Sequence, residues 1–282
     1  MRPDSAHVLS VIIPAHDEEA HLPGLLKALC VDGLELVVVA NGCTDRTAEE
    51  ARRACPRAVI VEIDEASKTA ALRAGDAAAH HFPRFYLDAD IGIGFDDLLH
   101  LAGLLRGTGL LAVAPSVVFD SSGCSRLVQA FYRALPLLAQ VNGSIAGTGC
   151  MGLTQEGRGR FDAWPEVLAD DFFLDGLFSS AEKERAPGAM ATVRTPVDAR
   201  DLLRRRERVV WANWQVRSLG LRVHEHRRGP AVLNAALKHP ERALDIGVFA
   251  LVAVVVRIRV RIRRLRRQEV GWNRDASRTR GL

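Results

Sequence analysis

The sequence predicts an α/β fold: a mostly parallel β-sheet covered on both faces by helices. Three observations predict it. Short apolar runs alternate with helical patterns through about the first 115 residues, which demands crossover connections and so parallel strands. The runs are nearly continuous rather than alternating, as in strands buried on both faces. Finally, polar turns follow three of the runs, at Pro14–Glu19, Asn41–Asp45 and Asp88–Asp90. Open α/β sheets bind ligands at the carboxyl ends of their strands.

Each element follows from its residues. Val8–Ile13 is a buried strand ended by Pro14. Leu22–Leu29 is a helix. Leu36–Ala40 is a second strand, closed by the turn pair Asn41-Gly42. Thr44 or Asp45 caps a helix that runs to Ala54. Ala58–Ile63 is a third strand, and Lys68–Ala79 an alanine-rich helix favoured by propensity alone. Phe85–Leu87 is the fourth strand, Phe95–Leu105 a helix and Leu110–Ala114 a fifth strand. Right-handed crossovers follow. After Ser116 the pattern is irregular. Leu127–Leu138 reads as a helix, and Ile145–Gly152 as a glycine-rich bend near a ligand or strand. Asp198–Leu219 reads as a long helix carrying Trp211 and Trp214.

At 282 residues, 48% hydrophobic and 26% charged, the chain has an ordinary globular composition. The net charge of +4 is uneven: Arg257–Leu282 holds ten arginines against Glu269 and Asp275, about +8, which leaves about −4 for Met1–Val256. The five cysteines (Cys30, Cys43, Cys55, Cys124, Cys150) show no metal-type spacing and read as reduced thiols of a cytosolic protein. Met1–His7 has no apolar core of a secretory leader. The run Ile246–Val256 is too short to span a bilayer.

In an extended segment Asp88 and Asp90 share a face that Ala89 does not. Two carboxylates there suit a hard divalent cation that also takes phosphate oxygens. No ligand set for soft zinc chemistry is visible.

The order and spacing of several motifs resemble the family 2 glycosyltransferases. Ser10–Glu19 (SVIIPAHDEE) is similar to their opening strand and acidic turn, and Val37–Thr47 (VVVANGCTDRT) to their second strand and glycine turn. Ser67–Gly75 resembles their lysine-bearing helix start, Leu87–Asp90 their metal motif, and Leu168–Asp171 the acceptor-side motif that supplies the base. Arg204–Arg208 with Trp211 is a loose version of their arginine–tryptophan segment. The resemblance covers roughly residues 8–215. Three positions depart from it: Asn41 where an acid is frequent, Cys43 where serine is usual and Ser67 where glycine is usual.

The resemblance implies the GT-A fold, with a Rossmann-like, mostly parallel sheet, and inverting sugar transfer from a UDP- or GDP-sugar to a hydroxyl acceptor. The cofactor it implies is a divalent cation, magnesium or manganese, held by Asp90; Asp88 serves the ribose with a share in the metal. Pro14, Ala15, Glu18 and Asn41 belong to the donor site. Lys68 meets phosphate, or is a solvated lysine at a helix start. Asp171 is the base, although Asp170 and Asp171 also suit the cap of a helix beginning at Phe172. Two other functions remain open: a sugar-1-phosphate nucleotidyltransferase, disfavoured by the acidic first turn, and a catalytically silent glycan- or membrane-binding module.

The expected organisation is a GT-A domain over residues 1–235, its nucleotide-binding half about 1–115 and its acceptor half about 116–235. A hydrophobic and then arginine-rich tail follows over 236–282. Leu251, Val254, Val255, Ile258, Ile262 and Leu265 fall on one helical face of this basic, amphipathic tail. Such a helix either lies in an anionic membrane surface or packs on the domain with a solvated basic face. The first suits a lipid-linked acceptor in cell-envelope glycan or glycolipid synthesis, with the protein cytoplasmic and peripheral on the inner face of the membrane. Nucleic acid is not expected, because no aromatic-interleaved basic platform appears. His224-Glu225-His226 reads as a surface loop or a late metal ligand.

Overall fold

The computed structural model describes residues 9–139, 143–221 and 229–266. The chain divides into two compact units, Met1–Val118 with Ile145–Val193, and Phe119–Ser144 with Arg194–Leu282.

The first unit opens with β1 (Leu9–Ala15), α1 (Leu22–Leu29), β2 (Leu34–Asn41), α2 (Thr47–Ala54), β3 (Val59–Ile63), α3 (Lys68–Ala78) and β4 (Arg84–Leu87). Then come β5 (Ile91–Gly92), α4 (Phe95–Gly107) and β6 (Ala112–Asp120). β1 pairs in parallel with β2 and β4, and β2 with β3. Every residue of β1 and β2 is buried, as continuous apolar runs require. The α1 helix matches its expected bounds because Leu22, Leu25, Leu26 and Leu29 form one buried stripe. Gly75 lets α3 lie directly on the sheet: a Cβ there would stand 2.3 Å from Ile12 Cγ2.

After α5 (Arg126–Ala139), which belongs to the second unit, the chain forms β7 (Cys150–Leu153), α6 (Gln155–Arg158), α7 (Asp170–Leu177) and β8 (Lys183–Arg194). The sheet order is β3-β2-β1-β4-β7-β6-β8-β5. The expected fifth strand therefore does not pair with β4. β7 lies between them, antiparallel to both. The glycine-rich bend supplies this strand, and pairing across a long sequence gap leaves no local signal. β3, β2, β1 and β4 run parallel, whereas the β4–β7, β7–β6 and β8–β5 pairings are antiparallel, so the sheet is mixed rather than mostly parallel.

The second unit adds α8 (Ala199–Ser218), α9 (Gly229–Lys238) and, after a 3₁₀ turn at Pro240–Arg242, α10 (Ala243–Leu265). Its core gathers Ala134, Leu138, Ala235 and Ile246, and Phe131 stacks on Phe249 at 5.1 Å. The expected break at residue 236 is thus not where the unit ends: α9 and α10 belong with α5 and α8. The arginine-rich segment Arg204–Arg208 lies inside α8. Trp211 there is buried and meets Trp214 at 5.2 Å, as core residues do. The His224-Glu225-His226 segment and the tail beyond Arg266 lie outside the described residues.

The expectation of five reduced thiols is corrected. Cys30 and Cys55 form a disulfide with Cα atoms 5.6 Å apart, and Cys43, Cys124 and Cys150 are free. The bridge joins the C-terminal ends of α1 and α2. It closes a 25-residue separation, worth about 3 kcal/mol by chain entropy. Cysteine spacing cannot reveal it, because only the packing of two helices on the sheet brings the residues together. The cytosolic reading accordingly loses its thiol argument.

Candidate active site

β2, β1 and β4 are adjacent and parallel, so Asn41, Pro14 and Asp88 come to one sheet edge. The first two turns are stitched together. Asn41 is buried, and its Nδ2 donates to the Ala15 carbonyl at 2.8 Å. His16 Nδ1 lies 2.6 Å from the Asn41 carbonyl. Asp17 takes the left-handed conformation, φ 51°, and its carboxylate accepts from the Thr44 amide at 2.7 Å. Burial alone would raise the Asp17 carboxyl, but the Thr44 amide and the nearby His16 ring bring it below the usual range. The Glu18 amide donates to Thr47 Oγ1 at 2.7 Å, while its carboxylate faces His21 Nδ1 at 3.3 Å. Asp45, one of the two expected caps, accepts from the Thr47 amide at 2.9 Å.

The turns also correct the view that soft metals have no ligand set. Among the described residues, ligand atoms of His16, Asp17 and Cys43 all lie within 4.8 Å of one another. Residues 27 apart in the chain gave no spacing signal.

At the end of β4 the strand stops at Leu87, and the Ile91 amide donates to the Asp88 carbonyl at 3.2 Å. Asp88–Asp90 is therefore a turn, and strand alternation does not describe it. Even so, Ala89 is buried and the two aspartates are half-buried. The Asp88 amide donates to the Gly149 carbonyl at 2.8 Å. Gly149 has φ 69°, and a Cβ there would stand 2.4 Å from Ile91 Cγ1, so only glycine fits.

Lys68 opens α3 behind Ser67, whose hydroxyl accepts from the Ala70 amide at 3.2 Å. Its ammonium sits 2.6 Å from Asp88 Oδ1 and 3.0 Å from Asp170 Oδ1. It is a half-buried, paired lysine rather than a solvated one. Asp170 and Asp171 form the first turn of α7, not a cap ahead of Phe172. The Asp171 carboxylate accepts from the Gly147 amide and from the Phe172 amide, each at 2.7 Å. Lys183 Nζ lies 2.7 Å from Asp175 Oδ1, and that same oxygen accepts from the Ile145 amide at 2.8 Å. This buried pair braces the glycine-rich loop that presents Gly147 to Asp171. Asp175 and Lys183 have no signal in the sequence, and Gly147 is marked there only as part of the glycine-rich bend. A helix-internal aspartate and a strand lysine carry no motif, and only the glycines marked the loop.

Pro14, Lys68, Asp88, Gly149, Asp170 and Asp171 share the wall of one pocket. Ala15, Glu18 and Asn41 stand in the neighbouring turn cluster, and Asp90 follows in the β4 turn; none of these four is in that wall. Burial raises the Asp170 carboxyl; Lys68 pulls it back, and the charges of Asp171 and Asp88 leave the balance upward. Asp171 is also raised by burial, against the pull of Lys68 and of the Gly147 amide. For Lys68, burial favours the neutral amine, but the carboxylates of Asp170 and Asp88 outweigh it and the pKa rises. The pocket thus gathers the Lys68 amine, its protonated form favoured by the nearby acids, with the carboxyl groups of Asp88, Asp170 and Asp171. The donor set of Asp88 and Asp90 is all oxygen and fits a hard divalent cation.

Residues 10–151 match the sequence family described as glycosyl transferase family 2. The chain belongs to that family. It is a glycosyltransferase, an enzyme, and the nucleotidyltransferase and silent-module alternatives fall away. A comparison with curated protein sequences returns no match. Among solved structures, the mannosyltransferase PcManGT from Pyrobaculum calidifontis, in complex with GDP-Man and Mn²⁺, aligns with TM-score 0.61 at 20% identity, over 90% of this chain and 76% of its own. A crystal structure described as a mycobacterial protein aligns with TM-score 0.51 at 22% identity, over 76% of this chain and 75% of its own. At these identities the likeness shows the fold, and the fold is GT-A.

Proposed function

We propose that this glycosyltransferase is an inverting enzyme that moves a sugar from a UDP- or GDP-sugar to a hydroxyl acceptor, with Asp171 as general base. The observation that carries the reading is the shared pocket: the Asp171 carboxylate, oriented by two amides, lines the same wall as the Lys68–Asp88 pair. The acceptor oxygen attacks the anomeric carbon from the side opposite the diphosphate. Asp171 takes the hydroxyl proton, the new C–O bond forms, and the bond to the diphosphate breaks with its electron pair. A carboxyl raised by burial is a better base than an exposed one.

On the donor side, Lys68 offers a fixed positive charge to the diphosphate. Asp90, with Asp88, would hold a magnesium or manganese ion, which when bound supplies Lewis-acid stabilisation of the leaving group. PcManGT, with GDP-Man and Mn²⁺ in its structure, supports this reading. Asn41 is our choice for the nucleobase. Its Nδ2 is spent on Ala15, while its buried Oδ1 has no hydrogen-bond partner among the described residues, so a ligand edge that meets it would bring a donor, N–H or O–H. Uracil and guanine both do. Pro14 and Ala15 lend backbone contacts to the nucleoside, and Glu18 braces the turn that faces it.

The acceptor we propose is a lipid-linked hydroxyl compound of envelope glycan or glycolipid synthesis, reached from the cytoplasmic face of a membrane. A panel of nucleotide-sugars screened by thermal shift with Mn²⁺ tests the donor, since a ligand that binds the native state raises its melting temperature. Release of nucleoside diphosphate from the stabilising donor tests the reaction. Donor stabilisation without any release would sink the transfer chemistry.

A further inference from the structure

α10 has two apolar faces, and the second unit uses only one. Ile246, Val252, Val256 and Val260 are buried, with Asp245 paired to Arg133 at 2.8 Å. Leu244, Leu251, Val254, Ile258, Ile262 and Leu265 are between 44% and 87% exposed. Their spacings of three, four and seven residues make one continuous stripe about 32 Å long. On α9, Leu233 and Leu237, one turn apart, are also exposed. Isolated exposed leucines need no explanation, but a contiguous stripe marks an interaction surface.

The arginines of α10 sort into two sets. Arg259 and Arg263 turn inward to Glu207, at 2.9 and 3.2 Å. Arg264 lies over the Trp214 ring at 4.2 Å. Arg257 and Arg261 are exposed along one border of the stripe, each about 100° from its neighbouring isoleucine, and Arg266 is exposed on the other border. No acid pairs with these three among the described residues. From Ile246 to Arg266 the helix has no acidic residue at all. Two copies packed stripe to stripe would set arginine against arginine. An anionic surface answers both the charge and the apolar stripe.

We propose that the Leu244–Leu265 face of α10 is a docking surface for an anionic lipid bilayer. The helix lies in the plane of the interface, with its leucines and isoleucines among the acyl chains and Arg257, Arg261 and Arg266 at the headgroup phosphates. In-plane binding agrees with the absence, among the described residues, of a helix long and apolar enough to cross a membrane. This deepens the membrane part of the proposed function without resting on the transfer chemistry.

The test is flotation of the full chain with phosphatidylglycerol–phosphatidylcholine vesicles and with phosphatidylcholine alone. Deleting the tail would be uninformative, because Ile246 and Phe249 belong to the core. The double variants L251E/I258E and R257E/R261E change only exposed side chains. Unchanged far-ultraviolet circular dichroism and melting temperature would show that both still fold. The expected result is binding to the anionic vesicles that weakens with salt and falls roughly tenfold or more in each variant. Three outcomes overturn the proposal: no flotation of the wild type, equal flotation on neutral vesicles, or equal flotation of L251E/I258E. A wild-type dimer in light scattering that L251E/I258E dissociates, without flotation, would assign the stripe to a second copy and equally overturn it. Nucleoside diphosphate release is read in the same samples, so loss of docking and loss of chemistry are distinguished.

Discussion

Two ionic clusters, one in each unit, are near mirror images in charge. In the first, the single ammonium of Lys68 stands 2.6 Å from Asp88 and 3.0 Å from Asp170, with Asp171 adding negative charge. In the second, the single carboxylate of Glu207 stands between Arg259 and Arg263. Glu207 is saturated: both its oxygens are taken, and its side chain is only 5% exposed. The Lys68 cluster has surplus carboxylate and opens onto a pocket. Charge surplus at a pocket, rather than burial of charge, separates the proposed active site from a structural clasp.

The largest expected effect breaks the comparison at its catalytic side. Asp171→Asn keeps the side-chain size but cannot take a proton, and its NH2 group leaves one of the two amides, Gly147 or Phe172, without its acceptor. Transfer should fall by about 10²–10⁴-fold, while donor-induced thermal stabilisation persists. Turnover at the wild-type level would remove Asp171 from the mechanism.

A third buried acid supplies a contrast without any pocket. Glu35, at the start of β2, accepts from the Ser10 hydroxyl and from the His80 amide at 2.9 Å. Burial would raise its carboxyl, yet these hydrogen bonds hold it down at about 2, against an ordinary 4.5. The stabilisation is present above about pH 4.5 and drains away as the pH falls toward 2. It amounts to at most about 3 kcal/mol. Urea denaturation against pH should show this acid slope, and Glu35→Gln should flatten it; an unchanged slope would exclude Glu35 as its source.

Lys68→Ala sharpens the surplus-charge idea. The carboxylates lose their cation, and stability should drop by about 1–3 kcal/mol. Added Mn²⁺ should then raise the melting temperature of the variant more than that of the wild type. Equal shifts would mean that the carboxylates do not gather a cation. The smallest effect belongs to the saturated clasp: Glu207→Gln should cost about 1–2 kcal/mol in urea denaturation and leave transfer unchanged. A comparable loss of transfer would end the distinction between the two clusters.

Much of the parallel half is legible in the sequence. Period and run length place α1 at Leu22–Leu29 and β1, β2 and β3 within two residues; β1 and β2 are apolar runs because they are buried on both faces, whereas β3 is a partly exposed edge strand bounded by its turns. The turn acids were legible as a set, since parallel strands bring their carboxyl ends to one edge. Their exact partners were not. The sequence leaves Lys68 either a phosphate ligand or a surface lysine; only the fold sets Asp88 and Asp170 beside it. The amphipathic stripe of α10 was also legible, yet the helix packs through Ile246, Val252, Val256 and Val260 instead. A helix apolar on two sides gives no local hint of which side finds a partner.

What the sequence determined alone is therefore what short-range physics controls: the strand and helix runs, the turns between them, and the motif order that marks a family 2 glycosyltransferase. Tertiary structure decided the rest. It inserted β7 between β4 and β6, joined Cys30 to Cys55, set Gly147 against Asp171, and left one face of α10 bare. The physical reason is common to all four: each depends on residues far apart in the chain meeting across a packed interface, and no local propensity encodes the distance between them.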